Sequence, residues 1–263
     1  MIGLSTYAFF WQHSSLAKHP LTLADMLQLT RDQDVDVFQI CDYAPLLGYS
    51  ATELRDLRAL ADDLGIRLEL GTRGVLPDHL ASFLDLAGTL GSSLVRSMIN
   101  TAEHRPSLAE AESLLRTALP AYEAAGVTIA LETYEQVQSR DLVALVESVA
   151  SPSLGICLDP ANSVAALENP IDVIDRCAPY VANIHVKDFA FTRRGGWVGF
   201  TLEGVPLGTG LLDYDHLLEA VRPDERGINQ IIEHWLPLGD TIDGTIAAEN
   251  DWNTSNLQYL RSK

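Results

Sequence analysis

Four stretches of the chain each end an apolar run on a side chain that can bind a cation. Glu132 follows "VTIAL", Asp159 follows "LGICL", His185 sits within "VANIHVKD", and Glu233 follows "INQII". Each alone has an ordinary reading. His185 could be a hydrogen-bonded core histidine, Asp159 a turn or cap residue before Pro160, and Glu132 a partner of Arg96 or Arg73. Together they look different. Three carboxylates and one imidazole facing a common interior repel one another unless a cation joins them. Mixed oxygen and nitrogen ligation suits one divalent metal ion, with Mn²⁺ the first choice and Mg²⁺, Co²⁺ or Zn²⁺ compatible. Strand alternation puts Lys187 on the face of His185, Tyr134 on that of Glu132 and Trp235 on that of Glu233. Lys187 is then placed to meet a substrate oxygen or anion. Its structural alternative is an ion pair with Asp188 or a neighbouring carboxylate.

These residues need a scaffold that brings successive strand ends together. Helix-like segments end in Gly65, Gly91 and Gly126, and a strand rich in Val, Ile and Leu follows each glycine. Glycine there suits a left-handed helix cap, and apolar strands suit burial on both faces. "SATE" (Ser50–Glu53) and "SLAE" (Ser107–Glu110) read as capping boxes. Strands are expected near 2–7, 35–41, 66–71, 94–99, 127–132, 154–158, 181–187 and 228–233. Helices are expected near 22–33, 51–64, 79–90, 107–125, 139–150, 170–178, 213–221 and 245–260, with Pro120 kinking or ending the fourth near Leu119. Eight such units over 263 residues predict an α/β fold, a single (β/α)8 TIM barrel over 1–263. The rival, a doubly wound open sheet, would show a glycine-rich phosphate turn after its first strand, and "GLSTYAFFWQ" has none. The stretch 190–211 reads as a long irregular lid-like loop over the barrel mouth.

Composition narrows the function. A net charge of −18 repels polyanions, so a nucleic-acid partner is not expected. Three scattered cysteines show neither a disulfide framework nor a zinc pattern and fit a reduced, cytoplasmic location. The sequence has neither a signal-peptide pattern nor a stretch apolar enough for a membrane span. A homo-oligomer stays open.

With "ALET", "CLDPAN", "NIHVKD", "IIEH", "PLGTGLLDY" and "ENDWNTSNLQYL", the chain resembles the xylose isomerase-like TIM barrel superfamily of sugar and sugar-phosphate isomerases and epimerases, over essentially its whole length. The resemblance implies that Glu132, Asp159, His185 and Glu233 are metal ligands. It also implies that Glu132 and Glu233 double as acid/base groups beside Lys187. Two departures stand out. Thr133 and Tyr134 occupy the place of a frequent Asn-His pair, and Asn162 stands where ketose 3-epimerases usually carry a histidine. The expected activity is metal-dependent isomerisation or epimerisation of a sugar, keto-sugar or sugar acid through an ene-diolate. The alternative is a lyase of the same superfamily: a decarboxylase of a 3-oxo sugar acid, a dehydratase, or a C-glycoside-cleaving subunit. A non-catalytic sugar-binding module is a further reading. Substrate contacts are expected from Trp11, Gln39, Arg73, Tyr134, Asn162, Trp197 and Trp235. Arg73 could hold a carboxylate or phosphate. Glu69 and Arg96 are read as an internal pair without chemistry.

Overall fold

The computed structural model describes residues 1–263. In chain order the elements are β1 (Ile2–Ser5), α1 (Leu23–Asp32), β2 (Val37–Cys41), α2 (Ala51–Leu64), β3 (Arg67–Gly71), α3 (Pro77–Leu90), β4 (Leu94–Ser97), α4 (Leu108–Ala125) and β5 (Thr128–Glu132). Then follow α5 (Ser139–Val149), β6 (Leu154–Leu158), α6 (Pro160–Val164), α7 (Pro170–Cys177), β7 (Val181–Val186), β8 (Asp188–Arg193) and β9 (Phe200–Val205). The chain closes with α8 (Tyr214–Val221), α9 (Pro223–Arg226), β10 (Gln230–Ile232) and α10 (Ile242–Arg261). Eight strands form a closed parallel barrel in the order β1-β10-β7-β6-β5-β4-β3-β2. Helices surround it, and the chain is a single (β/α)8 TIM barrel.

The local signals act as the sequence suggests. Ser50 and Ser107 accept from the backbone of Glu53 and Glu110, whose carboxylates accept in return. Gly65, Gly91 and Gly126 close α2, α3 and α4 at φ 69°, 68° and 67°. At these angles a Cβ would be strained. Buried Leu57 and Ala61 on α2, and Leu80, Phe83, Ala87 and Leu90 on α3, face the strands. No helix is long and apolar enough to cross a membrane.

Two expectations need correction. Helix α4 does not end near Leu119 but runs through Pro120 to Ala125. Pro120 is exposed, so the Arg116 carbonyl it leaves unpaired faces water. The apolar face of Ala111, Leu115, Ala118, Leu119 and Tyr122 stays buried across it. The stretch 190–211 is not an irregular loop either. Much of it is the antiparallel hairpin β8–β9, paired from Asp188↔Val205 to Arg193↔Phe200. Phe191 pairs with Leu202 and Arg193 with Phe200, while the glycines at the turn make the stretch read as a loop in the sequence.

Candidate metal centre

Four strands deliver Glu132, Asp159, His185 and Glu233 to one end of the barrel. Glu132 ends β5, Asp159 follows β6, His185 lies near the end of β7, and Glu233 follows β10. All four are buried, and one ligand atom from each lies within 4.8 Å of all the others. His185 Nδ1 stands 3.3 Å from both Glu132 Oε1 and Glu233 Oε1. Lys187 Nζ bridges Asp159 Oδ2 at 2.7 Å and Glu233 Oε2 at 2.8 Å, and lies 5.0 Å from the Trp235 ring centre. Arg96 pairs with Glu132 and lies 3.3 Å from Asp42 Oδ1.

The donor set fits a divalent cation. Glu132 Oε2, Asp159 Oδ2 and Glu233 Oε1 are buried oxygens without a hydrogen bond, although the first two touch Arg96 and Lys187 as ion pairs. Three carboxylates buried this close together are costly unless a cation is shared among them.

Electrostatics divides the carboxylates. Burial pushes the Glu132 carboxyl up, but Arg96 and His185 outweigh it and hold it at about 2. Burial also opposes charge on Glu233, yet His185 and Lys187 hold it well below the usual range. Asp159 is different: burial carries it up to about 6 despite Lys187. For Lys187, burial is overcome by Asp159 and Glu233, so it stays an ammonium.

Above the cluster opens a cavity of about 370 Å³. Its walls include Glu132, Glu233, Lys187, Tyr134, Trp235, Asn162, Arg73, Arg96 and Arg105. Of the residues expected to touch substrate, Arg73, Tyr134, Asn162 and Trp235 lie on this wall. Asn162 donates to Glu132 Oε1 at 2.9 Å, and the Tyr134 hydroxyl accepts from the Asn100 amide at 3.0 Å. Arg73 is half-exposed and bonds Asp42 Oδ2 at 2.8 Å.

Three expected contacts are not on the wall. The Trp11 indole donates to the Leu236 carbonyl at 2.8 Å. Trp197 is 78% exposed at the β8–β9 turn, with Arg193 stacked 4.7 Å from its ring. Gln39 lies beneath the cluster, 2.8 Å from His185 Nε2. Glu69 and Arg96 do not pair. Glu69 accepts from Gln39, Asn183 and Asn229, while Arg96 turns to Glu132 and Asp42.

The sequence reading missed Asp42 and Arg105, whereas Arg96 takes up the pairing with Glu132 that it allowed. Asp42 directly follows β2 with φ 50°, and this left-handed turn swings its carboxylate toward Arg96 and Arg73. An aspartate just past an apolar strand was the available signal. Nothing local marks Arg105, which the β4–α4 connection carries to the wall. Asp188, a candidate ion-pair partner of Lys187, instead accepts from the backbone of Phe189, Gly208, Gly210 and Leu212, and Lys187 pairs with Asp159 and Glu233.

Residues 27–262 match the model of the xylose isomerase-like TIM barrel family. Over 262 residues, 100% of this chain and 95% of the relative, the sequence is 53% identical to a Pectobacterium atrosepticum protein named 3-oxo-isoapionate decarboxylase. Among solved structures, the D-psicose 3-epimerase of Clostridium cellulolyticum H10 with D-tagatose superposes with a TM-score of 0.76 at 15% identity, covering 99% of this chain and 98% of that one. A xylose isomerase-like TIM barrel protein of Mycobacterium smegmatis in complex with magnesium gives 0.71 at 18% identity, covering 97% and 96%. At these identities the two structures speak to the fold alone.

Proposed function

As a chain that belongs to the xylose isomerase-like TIM barrel family, we propose that this protein is a divalent-metal-dependent lyase that removes CO₂ from a 3-oxo sugar acid of the isoapionate type. The observation that carries this reading is the 53% identity to the decarboxylase across the whole chain. The cluster and its cavity are the chemistry such a reaction needs. Glu132, Asp159, His185 and Glu233 would hold the cation. A divalent cation there supplies positive charge to the ketone oxygen that receives the electron pair of the breaking bond.

In that reaction the bond between the carboxyl carbon and C2 breaks, CO₂ departs, and its electron pair moves toward the C3 ketone. A proton must then reach C2. Lys187 is the donor in reach: it lines the cavity as an ammonium held by Asp159 and Glu233. Protonating an electron-rich carbon does not demand a strong acid. Tyr134 and Trp235 line the cavity, where they would shield the reacting carbon from water. Arg105 lines the mouth and forms no salt bridge, so its guanidinium is free to orient the substrate carboxylate.

Isomerases and epimerases must pull a proton from carbon, a step that decarboxylation does not need. The epimerase reading rests on fold likeness alone.

The test is a coupled CO₂-release assay on purified, Mn²⁺-loaded protein with a branched 3-oxo sugar acid, alongside D₂O incubations with ketoses. Stoichiometric CO₂, lost in Glu132→Gln and Glu233→Gln, is the expected result. Deuterium exchange into ketoses without CO₂ release would return the protein to the isomerase class.

A further inference from the structure

The barrel interior below the metal centre holds a polar network that the reaction does not use. Glu69 on β3 is buried among neutral amides with no cation in contact. It accepts from Gln39 Nε2 at 3.1 Å, Asn183 Nδ2 at 3.0 Å and Asn229 Nδ2 at 2.6 Å. Gln39 Nε2 also lies 3.2 Å from Asn183 Oδ1, so its nitrogen faces acceptors on both sides. Its oxygen therefore faces the other way, 2.8 Å from His185 Nε2. Gln39, Asn183 and His185 are each 0% exposed, and Glu69 is 5% exposed. A polar chain this deep is costly unless every member is satisfied in one direction.

Resting on the reading of the cluster as a metal centre, we propose that Gln39 and Glu69 are positioning residues: Glu69 fixes the Gln39 amide, which pins the proton of His185 on Nε2 and leaves Nδ1 to point its lone pair at the metal. A carboxylate can only accept, so the Gln39 nitrogen must turn to Glu69 and its oxygen to His185. Because Gln39 Oε1 accepts at Nε2, that nitrogen keeps its proton. Any proton on Nδ1 is the one released when a cation binds. Nδ1 already stands 3.3 Å from Glu132 Oε1 and Glu233 Oε1, on the side where the cation belongs. Outer partners of this kind typically contribute about 10- to 100-fold to metal affinity.

The test has two readouts. The first is the ¹H–¹⁵N signal of the His185 ring in metal-free protein, assigned by comparison with His185→Gln. A slowly exchanging Nε2–H is expected in the wild type and lost in Gln39→Met. The second is Mn²⁺ affinity by titration calorimetry, set beside the melting temperature of each metal-free variant. Gln39→Met and Glu69→Leu are expected to bind Mn²⁺ about 10- to 100-fold more weakly. The exchanged pair Gln39→Glu with Glu69→Gln restores an acceptor at Nε2 and a donor behind it, so it should bind within about threefold of wild type. That rescue separates positioning from a purely structural role, which would lower the melting temperature without this pattern. Absence of a protected Nε2–H in the wild type, or wild-type Mn²⁺ affinity in a folded Gln39→Met, would overturn the proposal. A protected Nε2–H in a protein that binds no divalent cation would instead overturn the metal-centre reading on which it rests.

Discussion

Arg105 differs from the other cations of the cavity in having no carboxylate of its own. Arg96 is committed to Glu132 and Asp42, Arg73 to Asp42, and Lys187 to Asp159 and Glu233. A new anion meets those three only at the expense of an existing pair, whereas Arg105 can form a charge-assisted contact outright. Arg105→Met should therefore lower kcat/KM for a sugar acid by roughly 10- to 100-fold, mostly through KM, as expected for losing about 1.5–3 kcal/mol. Steady-state kinetics checks this; an unchanged KM would place the substrate carboxylate elsewhere. Residue types at strand ends were legible because ionisable groups after apolar runs are rare. The partner of each was not: nothing within a strand tells Arg96 to choose Glu132 over Glu69.

Two connections between elements hold the mouth in place. Asp188 opens β8, and its carboxylate collects backbone N–H groups from Phe189, Gly208, Gly210 and Leu212 at 2.8–3.0 Å. The hairpin is thereby tied to the segment before α8, and Gly204 of β9 lies so close to Trp235 that a Cβ would come within 2.6 Å of the Trp235 Cβ. Asp188→Ala strands several buried donors and should cost about 3 kcal/mol or more, measured as a lower denaturation midpoint. The second tie is Glu249 of α10, which accepts from the Trp11 and Gln12 amides at 2.8 and 3.1 Å. Burial pushes its carboxyl up to about 7 despite those donors. The unfolded chain loses this proton near the ordinary pKa of about 4.3. The folded state thus holds the proton more tightly, and the stability it contributes is full below about pH 4.3 and lost as pH rises through about 7. Between pH 5 and 8 the melting temperature of wild type should fall more than that of Glu249→Gln, by differential scanning fluorimetry at matched ionic strength. Element positions were legible from caps and apolar periodicity. The β8–β9 hairpin was not, because its exposed apolar residues and glycine-rich turn imitate a loop.

Across the whole molecule, a net charge of −18 surrounds a site that is proposed to take both a cation and an anion. The field attracts the one and repels the other, and salt screens both effects. Raising ionic strength from about 10 to 150 mM, where the Debye length shrinks from about 30 to 8 Å, should weaken Mn²⁺ binding and lower KM for a sugar acid. Calorimetry and kinetics at constant pH measure these opposed trends, and a parallel response would contradict the charge assignment. The chain alone determined the barrel, because eight repeats of capped helix and apolar strand leave few ways to bury both faces of each strand. It also determined which residues end those strands, since that follows from position along the chain. Only the closed barrel decided what each side chain meets. Glu69 and Asn229 are separated by 160 residues, and Gln39 and His185 by 146, yet each pair is in hydrogen-bond contact. Such contacts depend on the curvature and register of the whole ring, which no local pattern encodes.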